Sequence, residues 1–167
     1  AKKDRLVPVQ RPGTDGKKWE RYPVTFYDPN YPISGAKTWY SGGAGLSSTA
    51  KDYAAFLQML LNGGVYNGKR FLSPYTVQLL TQSNQAGDLY GGEKGDAHYS
   101  LAFSVLTKYG QDKGNGSIGR FGWGGYFNTN YWADPKEKLI MVLMKQTQGA
   151  ADGGSEGMFT RLIYSAV

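Results

Sequence analysis

The sequence predicts an α+β fold, an antiparallel sheet flanked by helices. Three observations carry this. Two capped helical stretches lie between residues 49 and 83. Strand-like patterns joined by short turns crowd residues 99–144. A last segment places Met158, Phe159, Leu162, Ile163 and Ala166 on one helical face. The strands follow one another directly instead of alternating with helices, which favours an antiparallel meander over a parallel βαβ sheet.

Taken in order, residues 1–40 show neither helical nor strand periodicity and hold five of the seven prolines. They read as an extended proline-rich connection, because a structureless run of this length does not start a compact fold. Thr49-Ala-Lys-Asp52 fits a capping box, with Thr49 as N-cap and Asp52 reaching back. The stripe Tyr53, Phe56, Leu57, Leu60, Leu61 makes the helix amphipathic, and Gly63-Gly64 ends it. Ser73-Pro74 starts a second helix, serine capping and proline at the first helical position, which fades by Ser83. A Gly/Asp/Glu-rich loop runs to about Ala97.

Tyr99, Leu101, Phe103 and Val105 alternate with period two and predict one strand. Residues 109–117 read as a turn-rich loop, and Ile118–Phe121 as a short strand. Tyr126–Ala133 is expected to be a strand, Asp134–Lys138 a turn, and Leu139–Met144 a buried strand. Just before Tyr126 sit three glycines within four residues, Gly122, Gly124 and Gly125. Glycines beside a strand allow another group to lie against the main chain, although a tight turn or bulge would use them too.

Composition narrows the chemistry. The chain has 167 residues, enough for one domain, and 40% hydrophobic residues support a packed core. It has no cysteine, which excludes disulfides, thiolate metal sites and cysteine nucleophiles. A single histidine, His98, excludes a multi-histidine metal site, and no cofactor motif stands out. Residues 1–21 carry seven Lys/Arg against three acids, four of the six net positive charges. That segment reads as a solvated basic face, and the remainder leaves no nucleic-acid footprint. No apolar run is long enough to span a bilayer.

A sheet of three or four strands with apolar residues on both faces needs more cover than these helices give. The chain therefore looks like the second part of a larger fold. The stretch Ser41–Gly64 followed by Leu72-Ser-Pro-Tyr-Thr-Val77 resembles the serine β-lactamase-related superfamily, which includes class C β-lactamases, D-alanyl-D-alanine carboxypeptidases and β-lactamase-like esterases. Gly122–Pro135 and Leu139–Met144 are similar to its C-terminal strands. The resemblance implies that 41–167 is the C-terminal part of a single β-lactamase-like domain whose N-terminal part is not in this chain.

It also implies a reaction. In that superfamily an acyl-enzyme forms on the serine of a Ser-x-x-Lys motif, and a Lys-Thr-Gly strand lines the other wall of the cleft. By position Trp123-Gly124-Gly125 takes the place of Lys-Thr-Gly. Without the lysine's cation, the implied substrates shift from β-lactams toward uncharged esters. The backbone N–H of Tyr126 would be one oxyanion donor. Implied partners are a small ester, β-lactam or peptide substrate and the missing N-terminal segment of the same protein. A periplasmic or secreted location is implied by resemblance alone, and the chain by itself is expected to be inactive.

Other motif matches compete with this reading. Ser48-Thr-Ala-Lys51 is a Ser-x-x-Lys and Tyr126-Phe-Asn128 a Tyr-x-Asn, but no Lys-Thr-Gly follows them. Ser48 reads as helping to cap its helix. Gly153-Gly-Ser-Glu-Gly157 fits a nucleophile elbow, yet no histidine follows Ser155, which reads as an N-cap. Gly114-x-Gly-x-x-Gly119 fits a dinucleotide fingerprint without its helix and reads as a loop. His98 reads as a surface or capping residue before a catalytic base, and Tyr131 and Trp132 as packing before sugar stacking. The rival function is a non-catalytic carbohydrate- or peptidoglycan-binding module, suggested by thirteen tyrosines, four tryptophans and abundant glycine.

Overall fold

In a computed structural model, residues 3–23, 28, 30–31, 35, 41–43, 46–83, 95–149 and 154–167 are described. Most of the expected loop before Ala97, the middle of the 1–40 connection and Gly153 lie outside them.

The first expected helix is present as α1, Ala50–Leu61, with Thr49 as N-cap. The Thr49 hydroxyl accepts from Asp52 N at 3.2 Å and donates to the Asp52 carboxylate at 2.9 Å. Leu57 and Leu60 point inward as expected, Met59 joins them, and Phe56 stays exposed. The second helix, α2, spans Pro74–Thr81 behind its Ser73 cap. Between them lies a hairpin that the apolar patterns pass over. Its strands, β3 (Val65–Tyr66) and β4 (Lys69–Arg70), turn on Asn67 and Gly68, both at positive φ. Arg70 closes it by donating from Nη1 to Gly63 O and Leu72 O.

The expected connection over 1–40 carries a hairpin of its own. Strand β1 (Gln10–Pro12) pairs antiparallel with β2 (Trp19–Arg21). Backbone bonds carry β1 onto the segment after the main sheet: Gln10 N donates to Gln146 O and Gln148 N to Gln10 O, both at 2.9 Å. Hairpins this short hold their ladder by main-chain bonds, so side-chain periodicity has no room to announce them.

The main sheet has five antiparallel strands in chain order: β5 (Ala97–Tyr99), β6 (Ser104–Leu106), β7 (Phe121–Gly124), β8 (Asn130–Asp134) and β9 (Leu139–Leu143). The single sheet was expected, but three strand boundaries differ. The expected strand over 99–105 is a hairpin. Ser100 reverses the chain, its hydroxyl accepting from Phe103 N at 2.9 Å, and Leu101 at the tip is 60% exposed. The apparent alternation therefore counts across a turn. The expected strand at 118–121 begins only at Phe121, because Arg120 N bonds back to Ser117 O in a turn. The expected strand at 126–133 begins at Asn130, and Gly125 N→Thr129 O and Asn128 N→Gly125 O make the preceding residues a turn. The glycines thus lie within and at the end of a strand, not before one. The expected loop at 109–117 holds the one-turn helix α3, Lys108–Asp112, capped by Thr107.

The register sorts residues onto two faces. Val105, Phe121, Ala133 and Ile140 form one cross-strand row. With Phe103 they meet Leu57, Leu60 and Val77 of α1 and α2 in the hydrophobic core. The adjacent row, Ser104, Gly122, Trp132 and Met141, faces the other way. There the last helix, α4 (Ser155–Tyr164), crosses the sheet. The expected apolar face of α4 is not its packed face, since Met158 and Leu162 are 57% and 61% exposed. Thr160 is the buried residue, and polar bonds rather than an apolar stripe dock the helix.

Candidate functional site

Strand β7 begins buried at Phe121 and is exposed from Trp123 through Tyr126. Its glycines have different reasons to be glycine. A Cβ on Gly122 would stand 2.2 Å from Tyr131 O and 2.8 Å from Trp132 Cβ, so the neighbouring strand forbids it. A Cβ on Gly124 would meet only the end of the Asn130 amide, at 2.8 Å. On Gly125 it would make ordinary contact with Thr129 at 3.5 Å. Nothing among the described residues requires Gly125 to lack a side chain.

The edge of β7 is open at this point. Strand β6 pairs with β7 only at Gly122 and Phe121, because it starts at Ser104. Gly125 N turns toward Thr129 O at 2.6 Å, on the β8 side. Strand alternation then directs the Gly124 N–H and C=O past the end of β6. Trp123, 47% exposed, sets its ring edge-on to Tyr99 of β5 at 5.3 Å.

Tyr126 sits in the turn after β7, with its side chain 53% exposed. The turn is held from outside. Asn128, at φ 64°, donates from Nδ2 to Thr147 Oγ1 at 3.0 Å, and Thr147 N donates to Phe127 O at 3.2 Å. Phe127 packs edge-on against both Tyr126 (5.1 Å) and buried Tyr22 (5.7 Å). The N-terminal hairpin therefore buttresses the turn that carries Tyr126, although about a hundred residues separate them.

On the face crossed by α4, polar side chains are buried and paired beside the apolar Met141. Trp132 Nε1 donates to Thr160 Oγ1 at 3.0 Å and its ring stacks on Tyr164 at 5.2 Å. The Tyr164 hydroxyl donates to the fully buried Asp134, which also accepts from Lys136 N and Glu137 N at 3.0 and 3.1 Å. Burial pushes Asp134 upward, but the Tyr164 hydroxyl, the Glu137 N–H, the Ser117 hydroxyl and the Lys136 N–H outweigh it, leaving the carboxyl below its ordinary range. Burial and the same carboxylate raise Tyr164. Burial, then the neighbouring Tyr53, raises Tyr131.

Between α4 and strands β5–β8 runs an open groove of ≈ 520 Å³ that ends at Trp123 and Gly124. Tyr99, Ser104, Asn115, Asn130 and Glu156 contribute to its walls. None of these is an obvious functional residue in the sequence. They come from five separate stretches, and the pairing of β5 to β8 brings Tyr99, Ser104 and Asn130 together.

The competing motifs fare differently. Ser48 and Lys51 are exposed, and the Ser48 hydroxyl turns to Thr49 O at 3.4 Å, so Thr49 alone caps the helix. Ser155 is not the N-cap: Gly154 is, in the left-handed region, and Ser155 instead accepts from Lys145 Nζ at 2.7 Å. That bond ties α4 to the segment after β9, and neither residue lines the groove. Gly114, Gly116 and Gly119 all have positive φ in a loop. His98 is neither a surface nor a capping residue. It lies mid-strand in β5 opposite Val105, with Nε2 buried and unpaired among the described residues. Trp132 is buried and Tyr131 packs on Tyr53, so both serve packing as expected. Among the described residues no group of three His, Asp or Glu could hold a metal, and no helix is long and apolar enough to cross a membrane.

Comparison with known proteins places this geometry. A sequence model of the beta-lactamase family matches residues 2–164. Protein Rv1367c of Mycobacterium tuberculosis is 35% identical over 115 residues, 64% of this chain and 29% of that protein. Among solved structures, EstCE1, described as a hydrolase with promiscuous acyltransferase activity, superposes with a TM-score of 0.67 at 21% identity. The match covers 87% of this chain and 39% of EstCE1. A LovD6 mutant of simvastatin synthase from Aspergillus terreus gives 0.65 at 21% identity, over 89% of this chain and 38% of its own. These two likenesses are of fold. The chain spans between about a quarter and two fifths of the length of the proteins it matches.

Proposed function

The chain belongs to the beta-lactamase family, and from that premise we propose that it forms the C-terminal part of a serine hydrolase acting through an acyl-enzyme. The preferred substrate class is a neutral ester, with β-lactams or D-alanyl peptides second. The nucleophilic serine and its lysine would come from a segment upstream of Ala1, and the chain alone would not turn over.

In this reading Trp123-Gly124-Gly125 forms one wall of the cleft. A substrate would lie along the edge of β7, against Gly124, where no strand among the described residues competes for the main-chain groups. The Tyr126 N–H would be one oxyanion donor. Such a donor is worth roughly 3 kcal/mol when aimed at the developing charge. The observation that supports the reading most is Gly125. It is exposed, and among the described residues nothing gives it a packing reason to be glycine, which fits close approach by a substrate.

Trp123 stands where the family's lysine would meet a substrate carboxylate. An indole offers an apolar face and one N–H donor, so it favours uncharged acyl or leaving groups. The test is the ratio of kcat/KM for nitrocefin to that for p-nitrophenyl acetate, in the full-length protein carrying this chain. Trp123→Lys should raise that ratio by about tenfold, a change of ~1.4 kcal/mol in transition-state preference. An unchanged ratio in a folded variant would make Trp123 a packing residue and the motif placement wrong.

A further inference from the structure

We propose that the groove between α4 and strands β5–β8 is a saccharide-binding subsite, taking a neutral oligosaccharide of two or three rings. This extends the hydrolase reading, whose substrate would then be an acyl group carried on a sugar, but it stands on separate observations.

The first is unspent hydrogen-bonding capacity. The Ser104 hydroxyl, the Asn115 amide and the Trp123 indole N–H make no side-chain hydrogen bond among the described residues, and all three residues line the groove. Asn130 donates from Nδ2 to Asn128 O at 3.3 Å, which leaves its Oδ1 available as an acceptor. Sugar hydroxyls both donate and accept, and they suit a mixture of amide, hydroxyl and indole groups. The second is the aromatic end wall. Trp123 and Tyr99 meet edge-on at the end of the groove, and Trp123 keeps nearly half its surface exposed. An exposed, rigid aromatic surface beside planar polar groups suits the apolar C–H face of a pyranose.

The third is charge. Asp96 on the groove wall is neutralised by Lys113 at 2.8 Å. Glu156 and Arg120 balance each other in sign along the same lining, and Arg120 Nη1 is buried. With Lys113 counted, the formal charges of Asp96, Arg120 and Glu156 cancel along the lining, which suits a neutral ligand. The volume, ≈ 520 Å³, lies in the range of small-ligand sites. The aromatic residues that could stack a sugar are thus Tyr99 and Trp123, not the buried Trp132 or the core-packed Tyr131.

A 1H–15N NMR titration of the full-length protein carrying this chain with cellobiose, maltotriose and chitotriose tests this directly. The probes are the Trp123 indole N–H and the side-chain amides of Asn115 and Asn130. At least one sugar should give saturable shifts at all three. Trp123→Ala should weaken binding about tenfold and Asn115→Ala about threefold, from loss of stacking area and of one hydrogen bond respectively. Asn115 is part-exposed in a loop, so its variant keeps the fold and isolates the contact. Absence of saturable shifts with all three sugars would overturn the inference, as would shifts that Asn115→Ala and Trp123→Ala leave unchanged. Ester hydrolysis by the full-length protein without saccharide binding would remove this inference and spare the hydrolase reading. Binding without hydrolysis would do the reverse.

Discussion

The two faces of the main sheet are closed by different physics. On the α1 side, Leu57, Leu60, Val105, Phe121 and Ala133 exclude water by apolar contact that has no preferred direction. On the α4 side, the described hydrogen bonds that hold the helix are directional and stand beside the Trp132–Tyr164 stack: Trp132 to Thr160, Tyr164 to Asp134, Lys145 to Ser155. The first face is sealed and tolerant of rearrangement. The second leaves a groove beside the helix, because three bonds fix a position without filling the space around it. A face that must present a ligand site gains from that arrangement, since its polar groups are anchored without being covered.

Three measurements would break or sharpen this contrast. The largest effect should come from the apolar face. Leu57→Ala removes a side chain with no exposed surface and should cost about 3 kcal/mol in urea unfolding. A loss under about 1 kcal/mol would mean the core collapses around the gap and the face is less tightly packed than its burial suggests.

The polar face should respond to proton concentration instead. Asp134 is held below its ordinary range in the folded chain. Its contribution is therefore full above the unfolded carboxyl value, about pH 4, and is lost as the pH falls through the lower folded value. Asp134→Asn should cost about 2 kcal/mol at pH 7, where the hydrogen bonds to the charge are lost. It should also flatten the fall in Tm between about pH 4 and pH 2. Parallel acid profiles for the variant and the wild type would place the pH sensitivity elsewhere.

The smallest stability effect should fall where the two faces meet the open edge. Gly125→Ala should change stability by less than about 0.5 kcal/mol, since the added methyl makes only ordinary contacts. In the full-length protein it should nevertheless lower esterase kcat/KM at least about tenfold, through a methyl placed where substrate lies. Destabilisation without a kinetic effect would return Gly125 to the status of a turn residue.

The same contrast explains what could be read from the sequence. Thr49, Ser73 and Pro74 mark helix starts through bonds that span three residues, so their signals are local and the helices lie where expected. The sheet itself was legible, because Leu139–Leu143 and the turn after Asp134 are local features too. Strand boundaries failed where periodicity ran across a reversal, as at Ser100, or where a turn imitated a strand, as at Tyr126–Thr129. Tyr66-Asn67-Gly68-Lys69 carries a full hairpin signal, but its strands are too short for apolar alternation to register. Of the site, the exposed Trp123–Gly125 run was legible as a glycine cluster. The groove was not. Ser104, Asn115, Asn130 and Glu156 are unremarkable in sequence, and the bonds that shape their surroundings join residues 28 and 30 apart.

The stacking of Trp132 on Tyr164 gives the polar face a spectroscopic voice. Trp19 and Trp123 are about half exposed, whereas Trp132 is buried, hydrogen-bonded at its indole nitrogen and faced by the Arg120 guanidinium at 5.2 Å. Among the three described tryptophans the short-wavelength fluorescence should therefore come mainly from one ring, and its red shift should time the departure of α4 separately from melting of the core.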